Sequence, residues 1–220
     1  MTARLVIFFD CDNTLIDNDA AKEEFNRRLL SYLGRDDTDR FWTVYESVRS
    51  DRGVVDIPLT IERFGVGDAA QRAALTEIFF DFPFDGFVYP DVPAVIAHGQ
   101  SLGTVAVLSD GDQVFQRHKI RQSGLEELVA GAVYVFDHKE IAIQQVIREL
   151  PADHYVTVDD KPHLLTALEA AVDAPLTTVF VHQGKYARTG ADPTSFDIVL
   201  ESIGGFLKLT VADLMRFSAA

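Results

Sequence analysis

The chain has 220 residues, of which 47% are hydrophobic and 25% are charged. This composition excludes a disordered protein and is typical of a globular chain that buries a sizeable core. The net charge of −14, the single cysteine and the lack of a long apolar run predict a cytoplasmic protein that binds neither nucleic acid nor a membrane.

Apolar segments of strand length alternate with helical patterns along most of the chain. The strand candidates are Leu5 to Phe9, Thr104 to Leu108, Ala132 to Phe136, Tyr155 to Val158 and Leu176 to Val181. The helical patterns between them are Val92 to Ser101, Gln113 to Ser123, Lys139 to Leu150 and His163 to Val172. This alternation predicts an α/β fold, a Rossmann-like parallel sheet covered by helices on both faces. The tail predicts a short strand at Phe196 to Leu200 and a closing helix at Val211 to Phe217.

Residues 17 to 86 interrupt this alternation with four helical patterns and no convincing strand. The signals are Asp19 before the first helix and Gly34 after it, an apolar face from Phe41 to Val48, the segment Pro58 to Phe64, and Asp68 before the fourth helix. We therefore predict two domains. Residues 1–16 and 87–220 form the α/β core, and residues 17–86 form an inserted all-helical domain.

Two carboxylates, Asp10 and Asp12, follow the first predicted strand directly. In open α/β sheets the ligand crevice lies outside the carboxyl ends of the strands, so acids at this point face a substrate. The alternative is a simple turn, because Asp, Asn and Thr also favour turns and helix starts for local reasons. Complementary residues at the later strand ends favour the site.

Two later strand ends carry groups that suit an anion. Ser109, Asp110 and Gly111 follow the second strand and offer a hydroxyl and backbone N–H donors, although for this segment alone an ordinary helix cap by Ser109 or Asp110 is the better explanation. Lys139 lies at the start of a predicted helix, where the helix dipole disfavours a cation, so carboxylates and a phosphate are its expected compensation. A solvated surface lysine is the alternative. Lys119 competes for this role but lies well inside a helix.

A second acid pair, Asp159 and Asp160, follows the fourth strand. Two like charges at ~4 Å repel by about 4 kcal/mol at an effective dielectric constant of 20, so four clustered acids favour a bound cation. Mg²⁺, a hard ion that prefers oxygen ligands, suits this site. If the acids lie on separate surfaces, they imply no metal.

The order acid pair, hydroxyl, lysine, acid pair resembles the four sequence motifs of the haloacid dehalogenase-like superfamily, over residues 4 to about 183. The helical segment after the first motif resembles the cap domain of that superfamily, a lid over the catalytic face. The resemblance implies a Mg²⁺-dependent phosphatase that acts on a small phosphorylated metabolite. It also implies an aspartyl-phosphate intermediate.

The same resemblance implies the catalytic roles. Asp10 is expected to be the nucleophile, and Asp12 the acid/base that protonates the leaving oxygen and then activates water. The turn from Ser109 to Gly111 is expected to hold the phosphoryl oxygens. Lys139 is expected to neutralise both the nucleophile and the phosphate.

The implied metal ligands are Asp10, the main-chain carbonyl of Asp12, and Asp160, with Asp159 as a further or water-mediated ligand. One departure from the family pattern affects this site. Many relatives carry another aspartate about four residues after the metal-binding acid, whereas His163 and Leu164 occupy that region here.

Alternatives within the superfamily are a phosphotransferase or phosphomutase, a phosphonate hydrolase and a dehalogenase. Dehalogenases lack the second acid of the first motif, so Asp12 argues against that branch. Residues 13–88 lack the hinge histidine usual in mutases, and Lys22, the only lysine of the insert, fits a solvated face better than an imine-forming role. Alternatives of another class are a phosphoacceptor signalling module and an inactive phosphatase-like binding protein. The oligomeric state is open.

Overall fold

The structure, a computed structural model, describes residues 4–65, 67–186 and 193–216. The strands are β1 (Leu5–Phe9), β2 (Thr104–Asp110), β3 (Val133–Phe136), β4 (His154–Asp159), β5 (Leu176–Val181) and β6 (Ile198–Leu200). The helices are α1 (Asn18–Leu33), α2 (Arg35–Arg52), α3 (Ile57–Phe64), α4 (Ala69–Phe80), α5 (Val92–Leu102), α6 (Gln113–Gln122), α7 (Leu125–Leu128), α8 (Lys139–Glu149), α9 (Pro162–Ala171) and α10 (Val211–Leu214). Short 3₁₀ helices cover Phe84–Phe87, Pro193–Ser195 and Ile203–Lys208.

The described strands form one parallel sheet in the order β3-β2-β1-β4-β5-β6. Ile7 at the centre of β1 pairs with Val105 on one side and Val156 on the other. The predicted α/β fold with a Rossmann-like parallel sheet is therefore confirmed. Because the strands are parallel, the carboxyl ends of β1, β2 and β4 lie side by side at one edge.

Both faces of the sheet are buried, as the continuous apolar strands predict. Successive side chains of a strand point to opposite faces, so Ile7 and Phe9 join the apolar core on one face, and Val6 and Phe8 join the core on the other. A sheet held from both sides gives its strand ends fixed positions, which is what a precise polar site at those ends needs.

Strand β2 is longer than its sequence predicts. Its apolar run ends at Leu108, but the strand continues through Ser109 and Asp110, which pair with Val135 and Phe136 of β3. The strand can include these two polar residues because their backbone N–H and C=O groups form hydrogen bonds with the neighbouring strand. The turn after β2 therefore begins at Gly111, later than predicted.

The described residues of segment 17–86, all except Val66, contain helices α1 to α4 and no strand. The N-cap of α1 is Asp17, whose Oδ1 accepts a hydrogen bond of 2.9 Å from the Ala20 N–H. The predicted cap residue Asp19 instead lies inside the first turn of α1. Its own N–H donates a hydrogen bond of 3.1 Å to Asn13 Oδ1. Asp68 caps α4 as predicted, since its Oδ1 accepts from the Gln71 N–H at 2.9 Å.

An aromatic cluster holds helices α1, α2 and α4 together. The Phe79 ring lies 4.6 Å from that of Phe25 and 5.5 Å from that of Phe41, measured between centroids. Phe115 of α6 joins the cluster at 6.2 Å from Phe79, so the apolar core of these helices extends into the α/β part of the chain. The division into two domains at residues 17 and 86 stays a prediction.

The tail adds β6 at the sheet edge and the short helix α10, whose first turn Thr210 caps. Phe217, the last residue of the predicted closing helix, lies outside the described residues. Across the described ranges, we find no helix with the length and apolar character that crossing a bilayer requires.

Candidate active site

The predicted nucleophile Asp10 lies directly after β1, at the sheet edge formed by the carboxyl ends of β1, β2 and β4. Its N–H donates a hydrogen bond of 2.9 Å to the Val158 carbonyl, which continues the pairing with β4 and fixes the backbone at this point. Its side chain is buried, and its Oδ2 has no hydrogen-bond partner among the described residues. Asp10 thus keeps one carboxylate oxygen to which no described group donates a hydrogen bond.

Lys139, the first residue of α8, holds two buried carboxylates. Its Nζ lies 2.6 Å from Asp10 Oδ1 and 2.6 Å from Asp159 Oδ2, and its side chain is 1% exposed. Burial alone lowers the pKa of Lys139, but the charges of Asp10 and Asp159 outweigh it and raise that pKa. Asp110 orients the residue, because its Oδ1 accepts from the Lys139 N–H at 2.8 Å. Lys139 is therefore a buried counter-ion and not a solvated surface lysine.

Three acids, Asp10, Asp159 and Asp160, present carboxylate oxygens within 4.8 Å of one another. Both oxygens of Asp160 are buried and lack a hydrogen-bond partner among the described residues. Burial first, and then the charge of Asp159, raise the pKa of Asp160 to about 9. Buried, unpartnered carboxylate oxygens grouped in this way fit a hard divalent cation such as Mg²⁺.

The other two members of this cluster differ in the direction of their pKa shifts. Burial raises the pKa of Asp159, and the neighbouring Asp10 charge raises it further against the effect of Lys139. Burial acts in the same direction on Asp10, but the ammonium groups of Lys139 and Lys161 outweigh it and lower the Asp10 pKa. Asp10 is thus the member of the cluster whose ionised form the protein favours, as a nucleophile requires.

Asp12 lies apart from this cluster and lines a cleft above the sheet edge. The Lys119 ammonium of α6 lies 2.6 Å from Asp12 Oδ1 and 3.2 Å from Asn18 Oδ1. Lys119 is therefore not a rival of Lys139 for the contact with Asp10. It fixes the second acid of the first motif instead.

The turn after β2 is only partly arranged as predicted. The Ser109 hydroxyl is buried and accepts a hydrogen bond of 2.9 Å from Gln116 Nε2. The Gly111 N–H donates to the Phe136 carbonyl at 2.9 Å, and the Asp110 carboxylate is bound to α8. The Gly111 N–H, one of the donors expected to hold a phosphate, is therefore already used in a hydrogen bond to β3.

The cleft has a volume of about 330 Å³ and lies between the sheet edge and helices α1 and α2. Asp12, Lys119 and Lys161 lie on the sheet side. Lys22, Trp42, Tyr45 and Arg49 line it from the helices. The Lys22 side chain, expected on a solvated face, is 41% exposed, and its ammonium lies over the rings of Trp42 and Tyr45, 5.0 and 4.7 Å from their centroids. The cleft thus offers space, cations and aromatic surface beside the acid cluster.

A family model for haloacid dehalogenase-like hydrolases matches residues 5–172. The chain belongs to the haloacid dehalogenase-like hydrolases. It is similar to a haloacid dehalogenase-like hydrolase from Burkholderia xenovorans LB400, with 35% identity and a TM-score of 0.86 over 94% of this chain and 99% of that one. The predicted superfamily is confirmed, and the chain is a hydrolase of this family.

Two more distant structures share the fold. CbbY from Rhodobacter sphaeroides, solved in complex with phosphate, has 18% identity and a TM-score of 0.62 over 95% of this chain and 98% of that one. L-2-haloacid dehalogenase from Xanthobacter autotrophicus has 17% identity and a TM-score of 0.62 over 93% and 97%. A comparison with proteins of curated function found no match. Family membership alone therefore does not choose between phosphate and halide chemistry.

Sequence reasoning missed the site role of Lys161 in this haloacid dehalogenase-like hydrolase. Its Nζ lies 3.7 Å from Asp10 Oδ2, and burial, which lowers its pKa, is outweighed by Asp10 and Asp159, which raise it. The signal was present, because a lysine directly after the Asp159-Asp160 pair is a natural counter-ion. Gln116 was missed as well, and its contact with Ser109 depends on the turn between β2 and α6.

Proposed function

We propose that the protein is a Mg²⁺-dependent phosphomonoester hydrolase that acts on a small phosphorylated metabolite through an aspartyl phosphate. The observation that carries this proposal is the pair of acids with separate surroundings. Asp10 is buried against Lys139 with one oxygen unpartnered, and Asp12 lines the cleft beside Lys119. A phosphate ester needs both a nucleophile and an acid for its leaving oxygen.

The two carboxyl groups supply complementary steps. In the first, an Asp10 oxygen bonds to phosphorus while the ester P–O bond breaks, and Asp12 gives its proton to the leaving oxygen. In the second, a water oxygen bonds to phosphorus, its proton passes to Asp12, and the bond from phosphorus to the Asp10 oxygen breaks. Orthophosphate leaves, and both carboxyl groups regain their starting states.

The metal ligands that we propose are Asp10, Asp160, the main-chain carbonyl of Asp12 and, directly or through water, Asp159. The two unpartnered Asp160 oxygens support this assignment. Mg²⁺, when bound, supplies positive charge that stabilises the charge on the phosphoryl oxygens. Lys139 holds Asp10 and Asp159 in place through its two 2.6 Å contacts, and Lys119 positions Asp12.

Asp12 favours phosphate chemistry over dehalogenation, because a halide leaving group needs no proton. The substrate partner that we propose is a small molecule, which suits the cleft volume of about 330 Å³. Cytoplasmic location and the absence of nucleic-acid and membrane partners stay predictions from composition.

A screen of phosphorylated metabolites tests the proposal. We expect orthophosphate release from at least one metabolite with Mg²⁺ and its loss with EDTA. Stable phosphorylation of the protein without turnover would instead favour a signalling module, and halide release from 2-haloacids would favour a dehalogenase. Inactivity towards both substrate classes would favour a binding protein.

Asp160→Asn serves as the metal-site variant in this screen, with the exposed Asp173→Asn as its matched control. Mg²⁺ stabilises the folded wild type by binding it preferentially, so it should raise the unfolding temperature of the wild type and of Asp173→Asn. Asp160→Asn should lose both this rise and turnover. An undiminished Mg²⁺ effect in Asp160→Asn contradicts the proposed ligand set.

A further inference from the structure

Two lysines approach the nucleophile, and they differ in what their ammonium groups have left to donate. The Lys139 Nζ contacts Asp10 Oδ1, Asp159 Oδ2 and, at 3.4 Å, the Leu108 carbonyl, so its three N–H groups are used. It is almost fully buried and does not line the cleft. Lys139 therefore serves the carboxylates and has no free donor for a substrate.

Lys161 is the opposite case. Its side chain is 16% exposed and lines the cleft. Within the described part of the chain its ammonium makes no hydrogen bond, and its one ion pair is the 3.7 Å contact with Asp10 Oδ2. None of its three N–H donors is therefore used in a hydrogen bond within the described part of the chain.

We propose that Lys161 is a catalytic residue that binds the phosphoryl group under transfer, a role that the sequence motifs suggest for Lys139. The oxygen of Asp10 that faces Lys161 is Oδ2, the one without a hydrogen-bond partner, so it is the oxygen free to attack phosphorus. A phosphoryl group bonded to that oxygen has its own oxygens within reach of the Lys161 ammonium. Charge builds on those oxygens in the transition state, where a positioned cation stabilises it most.

The backbone at Lys161 is fixed as such a role requires. The Lys161 N–H donates a hydrogen bond of 2.8 Å to Asp159 Oδ1. Pro162, which follows it, begins helix α9 and restricts the adjoining backbone. The side chain therefore starts from a rigid point beside the acid cluster and extends into the cleft.

The test compares Lys161→Met and Lys161→Arg with the wild type in saturating Mg²⁺. Lys208→Met, at an exposed lysine of the tail, is the matched control. We expect Lys161→Met to lower kcat about 10²- to 10³-fold, the effect of removing one donor to a developing oxyanion. Lys161→Arg should recover part of this loss, and Lys208→Met should behave like the wild type.

Orthophosphate binding is the second readout, because a merely structural role of Lys161 does not change it selectively. We expect Lys161→Met to weaken orthophosphate inhibition by about 10- to 100-fold while its Mg²⁺-dependent rise in unfolding temperature persists. Unchanged kcat and unchanged inhibition in a folded Lys161→Met protein would overturn the proposal.

This inference rests on the proposed phosphatase function, but the two fail differently. A wild type that releases no phosphate from any metabolite contradicts the function. Calorimetry with orthophosphate and Mg²⁺ then still tests Lys161, since binding by the wild type and its loss in Lys161→Met support the contact. Equal binding by both proteins contradicts it.

Discussion

Asp10→Asn should abolish phosphate release while the protein stays folded. The asparagine keeps the shape of the side chain, and its carbonyl oxygen can still accept from Lys139, but the amide is a poor nucleophile toward phosphorus. Removal of a nucleophile that works together with other groups lowers kcat by about 10⁴-fold or more. The measurement is Mg²⁺-dependent phosphate release by the purified variant, on a substrate found for the wild type.

The fold of Asp10→Asn is expected to survive because Lys139 retains its 2.6 Å contact with Asp159. Circular dichroism and the unfolding temperature check this point. Asp173→Asn, the same change at an exposed position, should keep full turnover. Appreciable Mg²⁺-dependent hydrolysis by Asp10→Asn would refute the nucleophile assignment.

Lys139→Met should be the most destabilising change at the site. The ammonium is buried between Asp10 and Asp159, and its removal leaves two buried carboxylates without their counter-ion. Breaking a buried ion pair in this way costs about 3–5 kcal/mol of unfolding free energy. In a chain of this size such a loss lowers the unfolding temperature by roughly 6–20 °C, which thermal denaturation in EDTA measures.

A double variant separates the charge effect from loss of packing. The double variant Lys139→Met/Asp159→Asn removes one of the two carboxylates that lack a counter-ion. It should therefore regain part of the lost unfolding free energy while remaining inactive. Lys208→Met is the surface control and should unfold like the wild type. If Lys139→Met unfolds at the wild-type temperature, or if the double variant recovers nothing, the counter-ion role of Lys139 is wrong.

The sheet could be predicted because its strands are apolar on both faces and separated by helical periods. The residue types at the ends of helices and strands predicted the exact end positions less well. The residue types of Ser109 and Asp110 predict a turn, yet their pairing with Val135 and Phe136 makes them part of β2. Asp19 and Asp17 are both good N-caps by residue type, and the hydrogen bond from the Ala20 N–H to Asp17 Oδ1 identifies Asp17 as the cap.

The acid cluster could be anticipated because parallel strands bring their carboxyl ends to one edge, so residues as distant as Asp10 and Asp160 become neighbours. The contacts that helix side chains make with this cluster could not be anticipated in the same way. Lys119 reaches Asp12 from the second turn of α6, across 107 positions of sequence. The role of Lys161 depends on the direction in which its side chain leaves the backbone, which no spacing rule gives.

The cleft wall on the insert side shows the same limit. The sequence alone does not show which of the helix arginines Arg27, Arg28, Arg49 and Arg52 could contact a substrate anion. The structure places Arg49 on the cleft, whereas Arg27 and Arg28 pair with Glu24 on their own helix. Helical periodicity shows which residues share a face, but the packing of α1 and α2 over the sheet decides which face meets the cleft.

The most direct test of the account is mass spectrometry of the protein, acid-quenched within a turnover of a substrate from the screen. Peptide mapping should find one phosphoryl group on the peptide that contains Asp10, and none in Asp10→Asn treated alike. Phosphate release by the wild type with the phosphoryl group on another residue would contradict nucleophilic attack by Asp10.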